Sequence, residues 1–310
     1  MPKFHVQRSI EISASPDQVF EQVADFKTWT TWSPWLLAEP DAQVTVTSNA
    51  KDVGAVYAWQ GKVVGAGEIE HQRLERPRKI EDEIRFLKPF KSTSKVAFEL
   101  QPSGSGTQLT WHMYGSLPWF MFWMRPMMET CIGMDYDLGL KMLKEWIETG
   151  KIKSQTKVAG VVSVGPLTML GVRDKCRVAD VGASMEAAFT KAAKLFQQHN
   201  LPTTGGMISV YKCFDMKAGV FDYISGYLVP DAVQCQASEL ARWSLPAGQA
   251  FSVEHIGSYD HLGNAWSAAN QIARYKKLKQ SRIGTFELYK TTPPETPDAE
   301  LRTEIYLPLR

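Results

Sequence analysis

The stretch Phe286-Glu287-Leu288-Tyr289-Lys290 alternates apolar and polar residues with a period of two. That pattern is a β-strand with one covered face. Phe286 and Leu288 point one way, and Glu287 and Tyr289 share the other side. The same pattern stands earlier in the chain as Ile208-Ser209-Val210-Tyr211-Lys212, with Tyr211-Lys212 lying 78 positions before Tyr289-Lys290. Pro230, which closes Tyr227-Leu228-Val229-Pro230, lies 78 positions before Pro308, which closes Tyr306-Leu307-Pro308. A helical segment precedes each copy: Met185, Phe189, Ala192 and Phe196 make one stripe, and Leu262, Trp266, Ala269 and Ile272 the other. These observations predict a duplicated βαββ unit whose copies pack to form a shared groove. The two copies differ in charge at one position, where the counterpart of Glu287 is Ser209.

At 310 residues the chain is long enough for two domains, and its 44% apolar content suffices for two cores. The net charge of +2 argues against a nucleic-acid partner. The short basic group Lys276, Lys277, Lys279 and Arg282 reads as a solvated helix end. Cys131, Cys176, Cys213 and Cys235 have neither metal-ligand nor redox spacing, so no metal and no cofactor is expected. They fit free thiols in a reducing compartment. No apolar leader is seen at the N-terminus. The apolar run Leu117–Met128 contains Arg125 and Pro126 and is too short to span a bilayer. The expectation is a cytoplasmic protein with no membrane insertion; the sequence leaves its oligomeric state open.

The first half has a different grammar. Phe4 to Ile12 is a strand, and Ser15-Pro16-Asp17-Gln18 opens a helix with a capping box. Trp29 and Trp32 share the face of a short helix that ends at Pro34. Period-two segments follow at hairpin spacing, ending with Lys95–Leu100 and Thr107–Met113, so the sheet is antiparallel. Strand parity puts Leu109, Trp111 and Met113 on one face and His112 on the opposite, solvent side. It groups His71 and Arg73 with Ile69, and leaves Glu68 and Glu70 solvated. Cys131, Met134, Leu138, Met142 and Trp146 then recur at helical spacing up to Gly150. The fold class is α+β: an antiparallel sheet gripped by a long helix over 1–150, a polar linker over 151–157, and the duplicated βαββ domain over 158–310.

WTTWSPW, FLKPFKS, GTQLTWHMYG and GLKMLKEWIE in the first half resemble the polyketide cyclase/dehydrase group of the START-like helix-grip (SRPBCC) superfamily. That resemblance implies an apolar small-molecule cavity between sheet and helix, for which Trp59, Phe98, Trp111 and Met113 are the candidate lining. Core packing is the alternative role for the same side chains.

In the second half, Phe251 to Tyr259, Gly284 to Tyr289 and Glu304 to Leu309 resemble the gyrase-inhibitor-like, or AraC-type effector-binding, family. The resemblance implies a pseudo-twofold groove that takes small molecules, often aromatic and cationic, as in multidrug-binding domains. The carboxylate of the FE-x-Y strand lies in that groove, here Glu287. Family members joined to a DNA-binding segment are regulators; this chain carries the helix-grip half instead. Some stand-alone members resemble hydrolases of strained electrophiles.

Glu287 has a physical argument of its own. A carboxylate in an aromatic groove loses water, and a cationic ligand would offset that loss. The alternative is a surface carboxylate paired with Lys or Arg. Tyr289, Tyr211 and Ser209 are the nearest candidate partners by parity, with Tyr223, Tyr227, Trp266 and His255 beyond them. The expected function is small-molecule binding as a sensor or sequestering factor. The alternatives are a hydrolase using Glu287 with a tyrosine, and a protein-partner adaptor.

Overall fold

The computed structural model describes residues 2–235 and 237–310. The chain divides into two compact units, Met1–Lys153 and Ser154–Arg310.

The first unit begins with β1 (Lys3–Ile12), α1 (Pro16–Ala24) and α2 (Trp29–Trp32). At the start of α1 the Gln18 amide N–H donates to Ser15 Oγ, and the Ser15 amide N–H donates to the Gln18 side chain. The predicted capping box is therefore formed. Six strands follow: β2 (Gln43–Val46), β3 (Val56–Gln60), β4 (Ala66–Glu75), β5 (Lys79–Lys88), β6 (Ser92–Ser103) and β7 (Gly106–Ser116). They form one antiparallel sheet in the order β1-β7-β6-β5-β4-β3-β2. A 3-10 turn, Trp119–Met124, leads into α3 (Arg125–Thr149). Gly150 ends α3 in the left-handed region at φ 71°, where a side chain would be strained.

Between sheet and α3 lies an aromatic core. Trp111 stacks on Phe98 at 4.9 Å and on Tyr136 of α3 at 3.9 Å, with Trp32 and Trp35 edge-on to it. The parity of β7 thus holds for Trp111 and Met113. His112 does lie on the opposite face, but it is buried rather than solvated: the His5 and Tyr114 rings flank it, and Glu99 approaches its Nε2 at 3.7 Å. Two further surface readings change. The β4–β5 register slips between His71 and Arg73, so His71 points into the core while Arg73 turns out to Glu75. Glu68 and Glu70 are not free in solvent; with Glu83 they bind Arg85 at 2.7 Å each.

The second unit contains β8 (Gln155–Val164), β9 (Leu167–Arg177), α4 (Val181–Gln198), β10 (Met207–Asp215), β11 (Val220–Leu228), β12 (Ala241–Leu245), β13 (Gly248–Ile256), α5 (Leu262–Tyr275), β14 (Thr285–Tyr289) and β15 (Arg302–Pro308). The sheet order is β12-β9-β11-β10-β14-β15-β13-β8. β9-α4-β10-β11 and β13-α5-β14-β15 are the two βαββ copies, meeting at the β10–β14 pair. The structure adds a strand ahead of each copy, and these strands are exchanged: β8 pairs with β13 and β12 pairs with β9. The polar residues 151–157, expected as linker, accordingly lose Gln155–Lys157 to β8. β8 is an edge strand, where polar and charged residues are tolerated and discourage further pairing.

α4 packs on β9 and β11, and α5 on β13 and β15. The central strands β10 and β14 form the floor between the two helices.

Candidate functional site

That floor carries the carboxylate. Ser209 and Glu287 are cross-strand partners in the β10–β14 ladder, so alternation turns both to the helix side. Phe286 points the other way and stacks on Tyr306 at 4.8 Å. Glu287 is 1% exposed. Tyr211 donates its hydroxyl to Oε1 at 2.9 Å, Trp266 of α5 donates its indole N–H to the same oxygen at 2.5 Å, and Tyr289 donates to Oε2 at 2.5 Å. The carboxylate has no Lys, Arg or His partner among the described residues.

Burial pushes the Glu287 carboxyl above the usual value of 4.5, and the three donors hold it down only in part. Burial, followed by the neighbouring carboxylate, drives both Tyr211 and Tyr289 well above 10. Both phenols therefore stay protonated and remain donors. The site is a buried carboxyl held by three neutral aromatic donors, with no cationic side chain beside it among the described residues.

A ring wall surrounds it. Trp266 stands edge-on to Tyr211 at 5.1 Å, and Phe221 also meets the Tyr211 ring edge-on at 5.4 Å. Phe189 of α4 meets Tyr289 at 5.6 Å and Tyr227 at 6.3 Å. Met185 Sδ lies 3.8 Å from the Tyr211 hydroxyl and 4.0 Å from that of Tyr289. Tyr259, part-exposed, closes on Tyr289 at 5.7 Å and forms the rim; burial pushes its phenol to about 12. Ser209 lies beside Ser225 at 2.7 Å and 3.3 Å from the Tyr289 hydroxyl.

Of the sequence candidates, Glu287, Tyr289, Tyr211, Ser209 and Trp266 come together, and Tyr227 joins them through Phe189. His255 does not: it is buried at the end of β13, with Nε2 hydrogen-bonded to the Ser258 carbonyl at 2.9 Å. Tyr223 is engaged elsewhere, its hydroxyl 2.6 Å from Ser184 Oγ. Sequence reasoning did not single out Met185, Phe189 or Tyr259 as site residues. Met185 and Phe189 read as an ordinary helix stripe, and only the fold shows that this stripe overhangs Tyr289.

In the first unit, Phe98, Trp111 and Met113 are core residues, while Trp59 is half-buried and edge-on to Phe86 at 6.1 Å. The polar feature there is a pair the sequence reading did not assemble. His71 Nδ1 lies 2.6 Å from Asp82 Oδ1, its Nε2 donates to the Ala24 carbonyl at 2.9 Å, and its ring stacks on Phe26 at 3.9 Å. Both side chains are fully buried, and Asp82 Oδ2 has no partner. Burial raises the Asp82 carboxyl, with His71 opposing that rise. Since Nε2 must keep its hydrogen for Ala24, the proton between Nδ1 and Oδ1 is shared by one acid and one base.

Residues 3–148 match the family model described as polyketide cyclase / dehydrase and lipid transport, and residues 161–310 match the GyrI-like small molecule binding domain. No curated protein matches the sequence. Among solved structures, CalU16 from Micromonospora echinospora is 17% identical at TM-score 0.34, over 48% of this chain and 86% of that one. The Aha1 dimer from Colwellia psychrerythraea gives 14% identity and TM-score 0.36, over 48% and 99%. EcmrR, in a DNA complex, gives 16% identity and TM-score 0.43, over 60% and 65%. The chain joins a polyketide cyclase-like helix-grip domain to a GyrI-like small-molecule-binding domain.

Proposed function

We propose that the GyrI-like domain binds lipophilic aromatic monocations over Glu287, and that the protein acts as a sensor or sequestering factor for them. The observation that carries this reading is a fully buried carboxylate with aromatic donors on three sides and no cationic partner among the described residues. A ligand cation would supply the missing charge, and the surrounding rings add cation–π attraction of about 0.5–2 kcal/mol. Micromolar affinity, about −8 kcal/mol, is the expected scale.

Glu287→Gln keeps the shape and removes the charge. It should weaken a cationic ligand by about 1–3 kcal/mol and leave a neutral isostere nearly unchanged. Calorimetric titration of both ligands against both proteins decides the matter; equal losses for cation and isostere would reduce Glu287 to a packing residue.

The raised pKa values favour a second reading. A carboxyl with an elevated pKa beside two protonated phenols has the makings of a general base or nucleophile with an acid partner. In that reading the domain hydrolyses electrophilic small molecules. Consumption of a strained electrophile by the wild-type protein and not by Glu287→Gln would select it.

A further inference from the structure

We propose that the helix-grip domain docks on anionic lipid surfaces through the Trp119–Met124 turn and the adjoining β5–β6 loop. The sheet register brings these two segments together. Phe86 pairs with Ser92, Lys95 with Tyr114, and Ser116 with Lys3, so the β5–β6 loop, the end of β7 and the start of β1 share one end of the sheet. At that end Leu87, Phe90, Trp119, Phe120, Phe122 and Trp123 keep 46–81% of their surface exposed. Isolated exposed apolar residues need no explanation, but six large ones at one end of a domain mark an interaction surface.

Charge identifies the occupant. Residues 86–98 contain Lys88, Lys91 and Lys95 and no acid; residues 113–128 contain Arg125 and no acid. The three lysines are exposed and enter no ion pair among the described residues, while Arg125 shares its charge with Glu129 just beyond. A second copy of the same surface would oppose cation to cation in a twofold contact. Protein interfaces are poor in lysine. Tryptophan and phenylalanine among lysines suit the headgroup layer of an anionic bilayer, where rings insert and ammonium groups meet lipid phosphates and carboxylates. No helix among the described residues is long and apolar enough to cross a membrane, so contact is peripheral. It does not depend on the Glu287 groove.

The test is co-sedimentation of the full chain with vesicles of phosphatidylcholine alone, or with about one-third phosphatidylserine. The protein should pellet with the anionic vesicles and be released in ~1 M salt, where the Debye length shrinks to ~3 Å. Removing the four exposed rings of the turn (Trp119→Ser, Phe120→Ser, Phe122→Ser, Trp123→Ser) should abolish pelleting. The pair Lys88→Glu and Lys91→Glu, at exposed positions, should weaken it at least tenfold, since each lysine contributes about fivefold. Wild-type protein that stays in the supernatant with every vesicle overturns the proposal. So does undiminished pelleting of the charge-reversal pair, or a lipid-free wild-type dimer that the ring variant loses.

Discussion

Glu287→Gln should stabilise the second domain at neutral pH, although it removes a charged hydrogen-bond acceptor. The amide fits the existing geometry. Its oxygen takes the Oε1 place and accepts from Tyr211 and Trp266; its nitrogen takes the Oε2 place and donates to the Tyr289 oxygen. The Tyr289 hydroxyl then turns its hydrogen toward Ser209 Oγ, 3.3 Å away. Converting three charge-assisted bonds to neutral ones forfeits about 1 kcal/mol each, roughly 3 kcal/mol together. Relieving a buried carboxylate with no cation returns several kcal/mol. The balance is a gain of about 1–2 kcal/mol.

The pH dependence separates this account from better packing. Folding raises the Glu287 pKa above its ordinary 4.5. Below the ordinary value both folded and unfolded chains hold the proton. Between the two values the folded chain holds a proton that the unfolded chain has released, so wild-type stability falls as pH rises through that window. Above the raised value neither form is protonated and the full penalty applies. Each unit of rise corresponds to about 1.4 kcal/mol. The glutamine variant has no such proton, so its advantage should be smallest at pH 4 and grow as the pH rises toward 8. Calorimetric melting should show the second-domain transition about 2–8 °C higher for the variant at pH 8. A variant that melts lower at pH 8, or by the same offset at both pH values, would refute the reasoning.

Two further perturbations probe the buried charges. Asp82→Ala leaves His71 Nδ1 without its partner in a fully buried setting and should cost the first domain about 3–5 kcal/mol in urea unfolding; a loss under about 1 kcal/mol would mean that the pair contributes little. Ser209→Asp sets a second carboxylate across the ladder from Glu287 at a fully buried position; it should destabilise the second domain by at least about 3 kcal/mol at pH 8 and much less at pH 4, and equal losses at the two pH values would point to a steric cause.

Much of the fold was legible because local pattern and global structure agree. The two period-two strands around Tyr211 and Tyr289, the capping box at Ser15 and the long stripe ending at Gly150 each announce themselves within a few residues. What was not legible depends on partners distant in sequence. β8 carries no strong apolar alternation, and it is a strand because β13, about ninety residues on, offers its free edge. The slip after His71 reverses the parity of Arg73 without any glycine or proline to signal it. Asp82 sits in Lys79-Ile80-Glu81-Asp82-Glu83, an ordinary charged strand to the eye; only the ladder puts it opposite His71 while its neighbours face water. His112 had the right face and the wrong environment, because burial there comes from the His5 and Tyr114 rings on its own and the adjacent strand.

The groove shows why a duplicated scaffold holds an unduplicated charge. The two copies place β10 and β14 side by side, so equivalent strand positions become neighbours rather than remote counterparts. Cross-strand partners have Cβ atoms about 5 Å apart. Two carboxylates at that spacing, both buried, could not both ionise. One copy must be neutral for the other to carry a charge at neutral pH, and Ser209, tied to Ser225 and near the Tyr289 hydroxyl, fills that neutral place. Tyr211 and Trp266 donate to one oxygen of Glu287, and the Tyr289 hydroxyl stands between its other oxygen and Ser209 Oγ. On the proposed reading, a ligand has one cationic centre for Glu287 and one flat apolar body for the rings, and a symmetric dication should bind less well than the matching monocation because its second charge would meet no second carboxylate.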